Sequence, residues 1–164
     1  MVVLSGVPLM FAMLAVALVV QASDPATEAE IGAVLDQLNV ASTAADASTY
    51  FALFTPDARF IGTDASERWS MAQFRAFAEP WFARGKGWTY DPSARVITLA
   101  PIECRCVAWF DEELSNAGYG VTRGSGVLRK TEAGWKIEQY VLSFAIPNDK
   151  ADAVVAAVRG ATRP

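Results

Sequence analysis

An α+β domain, with helices leading and a curved antiparallel sheet following, is the fold class that the order of periodicities predicts. Between Ile31 and Ala41 apolar residues recur at three- and four-residue spacing, the period of a helix packed on one side. Between Ile102 and Ile146 three segments instead alternate apolar and polar residues across two short turn-like breaks, the pattern of a three-strand meander. Helices first and sequence-adjacent strands afterwards place the helices on one face of the sheet. With 164 residues, 52% of them hydrophobic, the chain suits a single domain with a sizeable core.

Taken in order, residues 1–22 read as a signal peptide or an N-terminal hydrophobic anchor. The apolar run 2–20 ends at Val20-Gln-Ala22, a small-residue cleavage pattern, which predicts export to a periplasmic or secreted location. No Lys or Arg occurs before Arg59, so the usual positive flank is missing, and the run is near the ~20 residues that span a bilayer; membrane anchoring through 2–20 is the alternative. Asp24-Pro25 opens a first helix, with Thr27-x-x-Glu30 as a second capping option, and Ile31, Val34, Leu35, Leu38 and Ala41 form its packed stripe. Ser48 to Phe54 predicts a short helix closed by Thr55-Pro56-Asp57, and Ala58 to Gly62 a brief strand. A polar loop runs from Thr63 to Trp69. Ser70-x-x-Gln73 is a capping box for a third helix with Phe74, Phe77, Ala78, Trp81 and Phe82 on one face and a kink expected at Pro80. Trp88 to Tyr90 and Arg95 to Leu99 lead into the meander, and Asn148 caps a last helix in a tail of residues 149–164.

Composition removes several function classes. A net charge of -4 without a basic block argues against nucleic-acid binding. The absence of His removes the commonest general base and zinc ligand, so acid-base work falls to carboxylates, Tyr, Lys or Cys. No metal or dinucleotide motif is present, and no cofactor is expected. Cys104 and Cys106 fall on the same side of a predicted strand, where two-residue spacing disfavours a mutual disulfide; they read as small buried hydrophobes on the core face.

Several stretches together are similar to the SnoaL-like branch of the nuclear transport factor 2-like superfamily. They are Phe60-Ile-Gly-Thr-Asp64 with Glu67-Arg-Trp69, Ala108-Trp-Phe-Asp-Glu112, Arg123-Gly-Ser-Gly-Val-Leu128, Trp135-x-Ile137, and Gln139-Tyr-x-Leu142 through Pro147-Asn148. The resemblance assigns residues 24–148 to a SnoaL-like domain. It implies a cone-shaped fold, N-terminal helices packed on a curved antiparallel sheet enclosing a pocket, often dimeric. Relatives include polyketide cyclases, a ketosteroid isomerase and dehydratases as well as members that bind or assemble. A His-dependent reaction does not transfer to a chain without His.

A trial register pairs Glu113 with Tyr119 and Lys130 with Trp135. It puts Gly124 and Gly126 opposite Cys106 and Ala108 on an inner face that carries Glu112 and Gln139. Asp64 and Glu112 are the candidate catalytic carboxylates, because a half-buried carboxyl against apolar walls has a raised pKa. Glu67, Arg68, Trp69, Trp88 and Gln139 are the candidate ligand contacts, with Arg68 facing an anion and the tryptophans stacking. The competing reading is an ion pair of Arg68 with Asp64 or Glu112, and Asp111 with Arg123 reads as a cross-strand pair. Trp109, Tyr140, Leu142 and Phe144 form an outer apolar row expected to bury against a second copy. The expected function is binding of a small, mostly apolar molecule in the cone, with cofactor-free cyclase- or isomerase-like proton transfer; a non-catalytic dimerising or binding module is the alternative.

Overall fold

The computed structural model describes residues 24–160, so the leader expected at 1–22 lies outside the described residues. Among the described residues no helix is long and apolar enough to cross a membrane. Helix α1 (Pro25–Thr43) uses the first capping option: Asp24 accepts from the Thr27 N–H, and Pro25 fills the first helical position. Its stripe buries Ile31, Leu35, Leu38 and Ala41 against the sheet, each large side chain contributing ~1.5–3 kcal/mol. Asp46 caps α2 (Ala47–Ala52), which passes almost directly into β1 (Phe54–Ile61). The turn expected at Thr55-Pro56-Asp57 is therefore strand, tolerated because β1 breaks its ladder with β6 between Phe54 and Arg59, where Pro56 needs no partner. After β2 (Arg68–Ser70), α3 (Met71–Phe82) opens on the Ser70/Gln73 capping box and continues through Pro80 to Phe82.

Strands β3 (Asp91–Leu99), β4 (Val107–Asn116), β5 (Gly120–Thr131) and β6 (Gly134–Phe144) complete a six-stranded sheet of order β2-β1-β6-β5-β4-β3. Only β1 with β6 runs parallel. A 3-10 turn at Asn148–Lys150 precedes α4 (Ala151–Gly160), which is exposed along its length. This is an α+β domain with helices on one face of a curved sheet.

Registers decide which side chains face inward, and two differ from expectation. Glu113 lies opposite Arg123 rather than Tyr119, so Gly124 and Gly126 face Glu112 and Phe110, and Asp111 faces Ser125 instead of Arg123. That slip is even-numbered and leaves the faces of β4 and β5 intact. The β5–β6 hairpin pairs Lys130 with Trp135 as expected, but the ladder then passes from Leu128–Ile137 to Val127–Gln139. Glu138 is thus an extra residue, a β-bulge, and everything beyond it exchanges faces. Tyr140 and Leu142 turn inward and are buried, whereas Gln139 turns outward. Phe144 shares the inward parity and meets the Tyr119 ring at the rim, 5.6 Å between centroids. Of the outer row expected at a dimer contact, Trp109 stays outside, 44% exposed.

The cysteines also depart from expectation. β4 begins at Val107, leaving Cys104 and Cys106 in the β3–β4 connection, where they form a disulfide. An extended strand separates residues two apart by about 6.6 Å. Arg105, at φ +47°, folds the connection so that the two Cα atoms lie 5.1 Å apart.

Gly126 sits where β6 approaches most closely: an added Cβ would overlap the Gln139 carbonyl and stand 3.0 Å from the Phe110 ring. Gly126→Ala is expected to lower stability by about 1–3 kcal/mol in urea denaturation. Gly160→Ala, with nothing within 4 Å, should leave it unchanged, and equal effects would refute the close approach.

Candidate functional site: a tyrosine-walled cavity

Within the curve of the sheet the helices leave an open-mouthed cavity of about 100 Å³. Tyr50 of α2, Phe60 of β1, Phe74 and Phe77 of α3, and Tyr140 and Leu142 of β6 supply its apolar wall. The rings form one ladder: Tyr140 on Phe60 at 5.4 Å, Phe60 on Phe74 at 3.9 Å, Phe74 on Trp69 at 5.5 Å, Trp69 on Phe77 at 4.8 Å. Such stacking holds the wall in one arrangement. Asn39 and Ser42 of α1 add polar atoms. Ser42 Oγ donates to the Trp88 carbonyl at 2.7 Å and accepts from the Trp88 N–H at 3.3 Å, which fixes Trp88 at the wall.

The phenols set the character of the site. Tyr50 and Tyr140 are 5% and 4% exposed, yet neither hydroxyl has a hydrogen-bond partner among the described residues. Both residues belong to the cavity wall, and Tyr140 Oη lies over Gly124, 2.6 Å from where a Cβ would stand. Burial pushes both phenols well above their ordinary pKa; Tyr90, also on the wall, is pushed up to about 12 by burial and then by Tyr119. At neutral pH they are protonated donors.

The predicted site residues divide. Glu67 and Trp88 line the cavity, joined by Thr63 from the same loop as Glu67. Glu67 Oε2 accepts from the Asp64 N–H at 3.1 Å, which steers the loop. Asp64 itself is exposed, and its Oδ1 accepts from the Ser66 N–H at 2.8 Å. Trp69 stands behind the wall in the ring ladder, Arg68 is exposed on β2, and Gln139 lies on the opposite sheet face opposite Arg59. Glu112 is buried near the floor: a Cβ added at Gly124 would meet Tyr140 Oη at 2.6 Å and Glu112 Cγ at 3.3 Å.

Glu112 does form an ion pair, but with Arg95 rather than Arg68. Arg95 Nε donates to Glu112 Oε2 at 2.7 Å, and Nη1 reaches the Gly32 carbonyl at 3.2 Å and Asp36 Oδ1 at 2.7 Å. Arg95 turns inward because β3 bulges between Ser93 and Val96, with Ala94 at φ +47°. Burial lifts the Glu112 carboxyl above its ordinary range, and Arg95 draws it part of the way back. Sequence reasoning missed Tyr50, Tyr90, Tyr140 and Arg95. The three-residue step from Ile137 to Tyr140, between pairs spaced by two, was the available signal for Tyr140.

A family model described as a SnoaL-like domain matches residues 31–147. No curated protein matches the chain. A domain of unknown function with a cystatin-like fold from Nostoc punctiforme is similar over 85% of this chain and 90% of its own, at 15% identity and TM-score 0.65. A proposed dehydratase of the nuclear transport factor 2-like family from Streptomyces avermitilis covers 76% of this chain and 100% of its own, at 11% identity and TM-score 0.63. A proposed aromatic ring hydroxylase from Novosphingobium aromaticivorans covers 77% and 94%, at 20% identity and TM-score 0.60. At these identities the likeness concerns the fold.

The Arg95–Glu112 pair makes a pH-dependent prediction. A folded-state carboxyl raised above its unfolded value contributes stability in full below the unfolded pKa, and that contribution is lost as pH rises through the folded pKa. Glu112→Gln, which keeps an acceptor for Arg95 Nε, should therefore flatten the fall of the urea midpoint as pH rises above the ordinary carboxylate range of about 4. Arg95→Leu strands the buried carboxylate and should cost about 3–5 kcal/mol at neutral pH, recovering towards acid. Parallel pH profiles for the wild type and both variants would sink this account.

Proposed function

The chain belongs to the SnoaL-like domain family, and from that premise we propose that its cone binds a small, mostly apolar molecule carrying one ring and a neutral acceptor oxygen. The observation that carries this reading is that Tyr50 and Tyr140 stand on an aromatic wall with hydroxyls that have no partner among the described residues. A phenol without a protein partner can donate to what enters the cavity, and a ligand carbonyl or hydroxyl oxygen is the acceptor that fits. Volume sets the limit. About 100 Å³ is less than the ~150 Å³ that holds a benzene, so a single ring would project through the open mouth and a fused polycycle would not be enclosed.

Any catalysis is proposed as cofactor-free proton transfer of the cyclase or isomerase kind. The protonated phenols would stabilise a developing oxyanion, and a carboxylate would move the proton. Glu67 is the carboxylate on the wall, which puts it ahead of Asp64 and Glu112. Glu112 would act through Tyr140, since its Oε1 is sealed from solvent and Oε2 is held by Arg95. The small, carboxylate-poor cavity equally favours the second reading, a binding module without chemistry. Export goes with either, because the Cys104–Cys106 disulfide suits an oxidising compartment. A second copy is proposed against the outer face around Trp109.

Native mass spectrometry of protein from its own host should show a co-purified single-ring compound and a chain lacking the leader. Phenol and 2-cyclohexenone serve as probes in solution. Tyr50→Phe and Tyr140→Phe should weaken their binding by about fivefold each, roughly 1 kcal/mol, without lowering the melting temperature, because no protein hydrogen bond is lost. An empty protein that binds neither probe would overturn the reading. Amide substitution of Glu67, Asp64 and Glu112 separates the two forms: lost turnover with retained folding supports the enzyme. For the dimer, light scattering at high concentration should give twice the chain mass, reduced by Trp109→Glu; a monomer throughout would refute it.

A further inference from the structure

The Cys104–Cys106 bridge lies outside the cavity and joins no two elements of the fold. It spans a single residue, and both ends belong to the same connection between β3 and β4, so it ties no element to another. A crosslink that closes so short a loop removes the least entropy from the unfolded chain. Its two ends are nevertheless unequal. Cys106 is half-buried, and its carbonyl accepts from the Lys130 N–H of β5 at 2.8 Å. Cys104 is exposed.

Arg105 between them occupies the left-handed region at φ +47°, unfavourable for a residue with a side chain. Its N–H donates to the Ile102 carbonyl at 3.0 Å, and its guanidinium lies 3.6 Å from Asp24, the cap of α1. The bridge therefore holds an unfavourable backbone state in an accessible loop.

We propose that Cys104 and Cys106 form a thiol–disulfide exchange site that accepts two electrons from a dithiol. A thiolate of the dithiol attacks the exposed Cys104 Sγ; a mixed disulfide forms there, the Cys104–Cys106 bond breaks, and Cys106 leaves as thiolate. The second thiol of the dithiol, as thiolate, attacks its own sulfur in the mixed disulfide. That step closes the partner's disulfide and releases Cys104 as thiolate. The dithiol is oxidised, the cysteine pair is reduced, and the two protons of the dithiol pass to the released thiolates. Reduction frees Arg105 from its place between two joined neighbours.

Dithiothreitol is the probe for the full chain, with thiols counted by alkylation and mass spectrometry. The folded protein should be reduced within about tenfold of its rate in denaturant, with its circular dichroism retained. Single variants test the asymmetry: with glutathione disulfide, Cys106→Ser should acquire a mixed disulfide at Cys104 about tenfold faster than Cys104→Ser acquires one at Cys106. Reduction in the folded protein more than about tenfold slower than in denaturant would overturn the proposal, since the bridge would then open only with the fold. So would two free thiols in protein kept under oxidising buffer.

Discussion

Glu138 is the residue on which the interior of the cone depends. Because it is inserted between Ile137 and Gln139 without a place in the backbone ladder to β5, the second half of β6 presents Tyr140 and Leu142 inward. The two glycines of β5 belong to the same device. Gly126 admits the Gln139 carbonyl of the bulged strand, and Gly124 leaves the place that Tyr140 Oη occupies, 2.6 Å from where a Cβ would stand. A bulge bends its strand and increases local twist, which is how the sheet curves around a space. The same insertion therefore produces the curvature and delivers the phenol into it.

A second bulge, at Ser93 to Val96 in β3, acts on the opposite edge of the sheet by turning Arg95 inward. Its guanidinium joins three separate groups: Glu112 on β4, and the Gly32 carbonyl and Asp36 on α1. As stability, this is a weak gain, because burying the pair costs several kcal/mol of desolvation, and Arg95 Nη2 and Glu112 Oε1 remain without partners. Its effect is geometric. By fixing α1 over the edge of the sheet it sets where Asn39 and Ser42, farther along the same helix, meet the cavity, and through Ser42 it sets Trp88.

The regular elements were legible in the sequence because each has a local cause: the Asp24-Pro25 start, the Ser70/Gln73 box and the Thr131 to Gly134 hairpin depend on neighbours within a few residues. Faces were legible as far as strict alternation holds, through Glu112, Gly124, Gly126 and Leu128. Beyond Ile137 the alternation assumed for β6 met one extra residue and inverted, which exchanged Gln139 for Tyr140 at the wall. Arg95 was hidden for the same reason, since a bulge changes the direction of a side chain without changing its type. The cysteines show the converse error: extended geometry keeps residues two apart from bonding, and a turn at Arg105 removes that constraint. Glu67 and Trp88, singled out for loop polarity and aromatic character, line the cavity because those properties survive errors of register.

The wall has a consistent electrical character that bears on what it can accept. Glu67 is the charged side chain among the wall residues, and Arg95, the nearest cation to Glu112, is spent on Glu112 and Asp36 behind it. An anion entering the cone would lose its hydration without meeting a positive partner, a cost that phenol donors alone do not offset. A neutral acceptor loses far less and gains a hydrogen bond from a phenol, roughly 1 kcal/mol net. The hydroxyls of Tyr50 and Tyr140, free of protein partners, thus give the wall its preference for a neutral oxygen, which makes these two groups the most selective part of the cavity.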